Sequence, residues 1–257
     1  MRRNSGIKLR LLLAAGVVLF SVIKYFASSE VNPYTGRTQH INISPKQEIA
    51  IGLNSRPQIA QQYGGLYPDQ KLQDIVDKVG NTLVNGSVAK QTPYRYEFHL
   101  LRDPNTINAF ALPGGQVFIT YGLFKLLSNE DELAGVIGHE IGHVVGRHSA
   151  ERMAKQNLTQ GLLSGVAVGG GQGAAQSAAA VANMINMKYG RQDELESDEL
   201  GVKFMIDTHY QPEQMIEVMK ILKKASGGKR TPEFQSTHPD PDNRIAHIKA
   251  AIKKYRK

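Results

Sequence analysis

His139, Glu140 and His143 stand in the stretch GVIGHEIGHVVGRH, residues 135–148, with the glutamate beside the first histidine. On a helix, histidines four positions apart share one face, so both imidazoles reach a single cation. The neighbouring glutamate can then handle the proton of a metal-bound water without ligating the metal. The chain contains no cysteine, which excludes thiolate sites, disulfides and cysteine nucleophiles. Any metal is therefore held by nitrogen and oxygen. The chemistry this predicts is peptide hydrolysis by Glu-assisted attack of zinc-bound water, with Glu140 as base and then as proton donor to the leaving amine.

Such a site needs a third ligand. One arrangement, HExxHxxGxxH, returns a later histidine to the ion. Gly146 fits it, but position 149 is Ser149 and the histidine falls one place early, at His148. The stretch DELESDEL, residues 193–200, supplies Glu194, Glu196, Asp198 and Glu199 instead. Glu194 and Asp198 lie one turn apart, so Glu194 is expected as the ligand and Asp198 as hydrogen-bond acceptor for a ligand histidine. Glu196 is expected to meet solvent or Arg191. Two histidines and a glutamate leave one position open on a single zinc ion, the mark of a catalytic site. His238 and Arg244, before the last helix, are candidates for the donor that a tetrahedral oxyanion requires.

These residues must be held by packed elements. Leu133, Val136, Ile137, Ile141, Val144 and Val145 give the histidine helix a broad apolar face, and Ser128 with Asp131 reads as its capping box. Leu72, Ile75, Val76, Val79 and Leu83 predict an amphipathic helix over 69–85, and YRYEFHL alternates as a half-buried strand. Asp103-Pro104 marks a turn. In NAFALPGGQVFITYGLF, residues 108–124, a Pro113-Gly114-Gly115 turn leads into a strand over Gln116–Thr120. That strand is expected to run along the cleft with an open edge, placing Gly115, Gln116, Val117 and Phe118 against substrate.

Residues 32–55 read as a connector leading to a short helix from about Pro45, and 161–183, rich in glycine and alanine, as a loop. A helix begins near Pro212 and another near Asp242. Helices dominate over a small sheet in the first half, so the class is α+β.

The net charge of +8 does not indicate nucleic-acid binding. Five of the 31 basic residues precede residue 31, against Glu30 alone, and the remainder is ordinary for a soluble domain. The basic start is followed by an apolar run, Leu11–Ile23, that together with residues to Ser29 reads as a membrane anchor or a cleaved signal. Residues 1–30 are thus expected to export a single domain spanning 31–257, with one membrane contact and the basic flank left in the cytoplasm.

Four motifs in order, NAFALPGGQVFIT, HEIGHVVGRH, DELESD and STHPDPDNRI, resemble the gluzincin metallopeptidases that include the HtpX heat-shock protease and the prenyl-protein CAAX protease. The resemblance covers residues 45–255. It implies zinc on His139, His143 and Glu194, Glu140 as base and Asp198 within the glutamate motif. It further implies that the strand after Gly115 aligns the substrate, and that His238 assists the transition state or occludes the metal at rest. ESD stands where the family more often has EAD, which keeps the acid at Asp198. One hydrophobic segment favours the compact periplasmic members, held at the inner membrane by residues 11–29. The implied substrates are unfolded or misassembled envelope proteins, and the implied partners envelope assembly and quality-control proteins. A zinc-containing chaperone or assembly factor that binds polypeptide in the same groove is the alternative.

Overall fold

The computed structural model describes residues 3–166, 189–226, 233–238 and 244–256. The chain groups into two compact units, one of residues 1–44 with 149–184 and one of 45–148 with 185–257.

The first unit contains α1 (Arg3–Ala27), a hairpin of β1 (Ser29–Val31) and β2 (Thr38–His40), and α6 (His148–Val166) beyond its first residue. Buried polar contacts tie the hairpin to α6: Glu151 accepts from Arg37 at 2.7 Å and from Gln39 at 3.2 Å. The His40 ring stacks on Tyr25 of α1 at 4.3 Å. The apolar run expected as an anchor or signal is helical within α1. No helix among the described residues is long and apolar enough to cross a membrane. The physical reason is length: the uncharged run is bounded by Arg10 and Lys24. Leu13, Leu19, Phe20, Ile23 and Phe26 are nevertheless exposed along it.

The second unit holds α2 (Pro45–Gln62), α3 (Gln70–Asn85), a 3₁₀ turn (Val88–Gln91), β3 (Glu97–Leu101), β4 (Ala109–Leu112), β5 (Gln116–Thr120), α4 (Tyr121–Phe124), α5 (Glu130–Val145), α7 (Arg191–Asp207), α8 (Gln214–Ser226), α9 (Glu233–Thr237) and α10 (Arg244–Tyr255). With the small three-stranded sheet, this is the α+β class. α5 is the core helix, packed on α7 and also on α3, α8 and β4, while α10 packs on α7. α3 begins as expected, with the Asp69 side chain accepting from the Lys71 N–H at 2.9 Å.

Four local expectations are corrected. α5 is capped by Asn129, whose side chain accepts from the Glu132 N–H at 2.8 Å, rather than by Ser128. Glu132 instead reaches back to the Ser128 N–H. α2 is 18 residues long and passes through Pro57. It persists because it buries Ile59 and docks on the Pro113-Gly114-Gly115 turn: a side chain on Gly52 would strike the Pro113 carbonyl. Gly114, at φ +83°, likewise has no room for a Cβ against the backbone of Ile49.

The third correction concerns β5. The sheet order is β3-β5-β4, parallel between β3 and β5 and antiparallel between β5 and β4. β5 is therefore central, with both sides hydrogen-bonded and all five residues buried. Phe118 stacks on Phe110 at 5.1 Å, and Gln116 bonds the His99 ring at 2.9 Å. Gln116, Val117 and Phe118 thus belong to the sheet interior, and Gly115 joins it: its carbonyl accepts from the Glu97 N–H at 3.0 Å and its N–H donates to the Leu112 carbonyl at 3.4 Å. The edge next to α5 is β4. β3 is likewise buried on both faces from Phe98 to Leu101, not half-exposed. Of the expected loop over 161–183, residues to Val166 are in α6 and the rest lies outside the described residues.

Candidate metal centre

α5 starts with Glu130, Asp131 and Glu132 in its first turn, where acids favour the positive end of the helix dipole. From Glu132 to Val145 every residue is buried, so His139, Glu140 and His143 lie in the core. α7 runs alongside at close range. A Cβ on Gly142 would lie 2.9 Å from the Ser197 carbonyl oxygen and 3.0 Å from its Cα. The glycine permits the approach that brings Glu194 to the histidines. Gly142→Ala is expected to push α5 from α7, lowering stability by about 1–3 kcal/mol as overpacking does, and to weaken metal binding with it. Denaturant unfolding and metal titration of the variant measure both effects.

Ligand atoms of His139, His143, Glu194 and His238 all lie within 4.8 Å of one another. The two histidine Nε2 atoms are 3.1 Å apart, and each is 3.5 Å from a Glu194 oxygen. Zinc bonds of roughly 2.0–2.1 Å in a tetrahedron separate neighbouring ligands by about 3.3 Å. The spacing fits that ion. His238 Nδ1 completes the figure, 3.3 Å from His139 Nε2 and 3.1 Å from Glu194 Oε1.

The ring orientations fit as well. His139 Nδ1 is 2.9 Å from Asp198 Oδ1, so that nitrogen donates to the carboxylate and Nε2 is the atom that faces the cluster. Arg244 grips Asp198 with Nε at 2.7 Å and Nη2 at 2.6 Å, and its Nη1 lies 3.2 Å from Glu194 Oε2. Burial would raise the Asp198 carboxyl, but the Arg244 guanidinium outweighs it and holds the group below its usual range. Glu194 is lowered in the same way: burial opposes, and His238 and His139 prevail. For His139 burial works downward, yet its bonds to Asp198 and Glu194 raise it to about 9. A cluster that attracts protons this strongly attracts a cation.

Both oxygens of Glu140 and Nε2 of His238 are buried without a hydrogen-bond partner. Orphaned atoms of this kind are rare in folded proteins. Here they converge on one point, with His238 Nε2 3.6 Å from Glu140 Oε1. Burial raises the Glu140 carboxyl. The donor set and the orphaned atoms together fit a metal ion with water beside it.

The structure thus gathers His139, Glu140, His143, Glu194, Asp198 and His238, and it sets Arg244 behind them. Arg244 is directed at Asp198 and Glu194. Gly115, Gln116, Val117 and Phe118 are elsewhere, in and beside the central strand.

Three contributors were missed in the sequence. Tyr189 stacks on His143 at 3.7 Å and on His238 at 4.9 Å, while Phe234 stacks on His238 at 4.5 Å. His148 Nδ1 lies 2.8 Å from His143 Nδ1, and its Nε2 lies 2.9 Å from Glu196 Oε2. Glu196, partly exposed, thus also faces His148. The one available signal was His148 itself, a third histidine close behind the motif. α9 is anchored by Glu233, which accepts from the Tyr63 hydroxyl at 2.5 Å and from Asn108 at 3.1 Å. A small apolar recess opens beside His139, lined by Val136, Met215, Val218, Met219 and Phe234.

The family model of peptidase family M48 matches residues 69–252. The chain is similar to the mitochondrial metalloendopeptidase OMA1 of Saccharomyces cerevisiae, 29% identical over 95% of this chain and 74% of that protein. The OMA1 of Schizosaccharomyces pombe is 28% identical over 88% of this chain and 67% of its own length. The beta-barrel assembly-enhancing protease of Escherichia coli is 29% identical over 91% of this chain, which spans 50% of that relative.

Proposed function

The chain belongs to peptidase family M48 and is a metalloendopeptidase, and on that premise we propose that it cuts unfolded or misassembled cell-envelope proteins with one zinc ion held by His139, His143 and Glu194. The carrying observation is the tetrahedral spacing of these ligand atoms beside a glutamate whose two buried oxygens have no partner. Bound zinc supplies Lewis-acid polarisation of the scissile carbonyl and makes water acidic enough to ionise near neutral pH. Glu140 takes the proton from the attacking water and passes it to the departing amine. Asp198 fixes the His139 ring, and Arg244 keeps Asp198 and Glu194 ionised and in place.

β4, as the sheet edge beside α5, is the strand that can accept an extended substrate by strand addition. α9 covers this region, since the Phe234 N–H donates to the Ile107 carbonyl at 3.1 Å, just before β4. His238 on that segment lies where it would hold a fourth position on the ion, and catalysis would then require its withdrawal.

The relatives' names support the setting. One is named for β-barrel assembly and others as mitochondrial proteins, which suits an exported enzyme of the bacterial periplasm working with envelope assembly and quality-control proteins. Membrane contact through residues 11–29 is supported by the exposed Leu19, Phe20, Ile23 and Phe26 of α1.

The filled fourth position also favours a second reading, a zinc-containing assembly factor that binds polypeptide and does not cut. Cleavage of an unfolded protein by the full-length, zinc-loaded chain separates the two. Chelation is expected to abolish cutting, and His238→Ala is expected to raise it several-fold by removing the occluding ring. A fall in that variant would assign His238 to transition-state stabilisation. No cutting by either form, at full zinc occupancy, would favour the binding factor.

A further inference from the structure

We propose that Glu196, acting through His148, positions the metal ligand His143, so that the second histidine of the motif is held by an imidazole–carboxylate pair rather than by a carboxylate directly. The proposal rests on the reading of His143 as a zinc ligand. His139 has the simpler support, Asp198 against Nδ1. On the other side of the centre the partner of His143 Nδ1 is His148 Nδ1, at 2.8 Å.

Two nitrogens that close must be one donor and one acceptor, and the surroundings decide which. Glu196 Oε2 is 2.9 Å from His148 Nε2, and a carboxylate only accepts, so His148 carries its proton on Nε2. With His143 Nε2 given to the ion, His143 Nδ1 holds the proton and His148 Nδ1 is the acceptor. Ser197 Oγ, 3.3 Å from that atom, can donate to it. The chain of donors runs from His143 to His148 to Glu196 with one consistent set of protons.

The backbone is built for this placement. α5 ends at Val145, and Arg147 adopts φ +54°, a left-handed conformation that a non-glycine side chain rarely takes. Buried Glu48 holds it there by accepting from Arg147 Nε at 2.9 Å and Nη2 at 2.6 Å, with the Tyr94 hydroxyl at 3.0 Å on the same carboxylate. The reversal swings His148 back behind His143, wholly buried. The one-place offset that removes His148 from the third-ligand position puts it behind the second ligand.

Zinc affinity of the full-length chain, measured by competition with a chromophoric chelator, tests the proposal. His148→Leu is expected to weaken binding by about 10–100-fold, the usual effect of losing the partner of a ligand histidine. His148→Gln, whose amide can accept from His143 and donate to Glu196, is expected to recover most of it. Glu196→Ala removes a carboxylate with 16% of its side chain exposed, which leaves the fold least affected, and is expected to weaken binding several-fold. The zinc-loaded parent should show a low-field imidazole N–H resonance from His143 that His148→Leu lacks.

Parent affinity in Glu196→Ala and in a folded His148→Leu, with that resonance retained, overturns the relay. Glu194→Ala is the control for the underlying centre. If it loses zinc while the other two variants do not, only the relay is wrong; if it keeps parent affinity, the metal centre itself has been misread.

Discussion

Glu140→Gln is expected to lower turnover by about 10²–10⁴-fold, the range of a positioned general base, while zinc affinity stays near that of the parent. The amide keeps the shape of the side chain but cannot take a proton. Nothing in the ligand set changes, because His139, His143 and Glu194 do not hydrogen-bond through Glu140 among the described contacts. The same substitution should stabilise the metal-free protein. Burial raises the Glu140 carboxyl above its unfolded value, so ionising it in the core opposes folding. That opposition is absent below the unfolded pKa and grows as pH rises toward the folded one. A neutral amide removes it, and the melting temperature of the apo variant at neutral pH should rise. Loss of activity with a gain in apo stability is the signature of a group kept for chemistry. Turnover on an unfolded protein, metal content and thermal unfolding measure all three quantities. Unchanged turnover would remove Glu140 from the mechanism.

The same residues show how far sequence carries. The histidine helix, Glu194 and Asp198 were legible because helical periodicity fixes relative direction over one turn: acids four apart on α7 face one way, and both meet α5. Glu196, two positions on from Glu194, points elsewhere by the same rule. What lay there was not legible, since His148 arrives only through the left-handed Arg147, a conformation that its residue type does not announce. The sheet was half legible. Alternation and the Pro113-Gly114-Gly115 turn predict a strand at 116–120, but strand order depends on β5 returning to pair with β3, a long-range pairing. That β5 is buried along its whole length was the available signal, because QVFIT has no exposed polar alternation typical of an edge. α2 was underestimated because Pro57 reads locally as a breaker, whereas docking on the glycine turn overrides propensity.

Arg244→Met is expected to cost the metal-free protein about 3–5 kcal/mol, as removal of one partner from a buried ion pair does. Arg244 is 2% exposed and neutralises two carboxylates, Asp198 and Glu194, that are themselves fully buried. It also begins α10 and joins it to α7, so its loss acts on the helix packing beneath the site. The pH dependence has a definite sign. The Asp198 carboxyl is depressed in the folded state, so its contribution to stability is present above the unfolded pKa and disappears as pH falls through the folded value. Without Arg244 the guanidinium's share of that contribution vanishes, and at neutral pH the buried carboxylates stay charged with the histidine contacts left to compensate them. The deficit of the variant should therefore be greatest near neutrality and shrink in acid, where protonation discharges the pair. Zinc should narrow it too, because a dication takes over part of the compensation that the guanidinium provides. Asp198→Asn in the same chain should recover part of the loss, since it removes one of the two buried charges that Arg244 compensated. Denaturant unfolding at neutral and acidic pH, with and without zinc, distinguishes this from the oxyanion-donor role. A donor to the transition state would lower turnover and leave apo stability untouched, whereas a residue that holds Asp198 and Glu194 must show its effect before any substrate or metal is present.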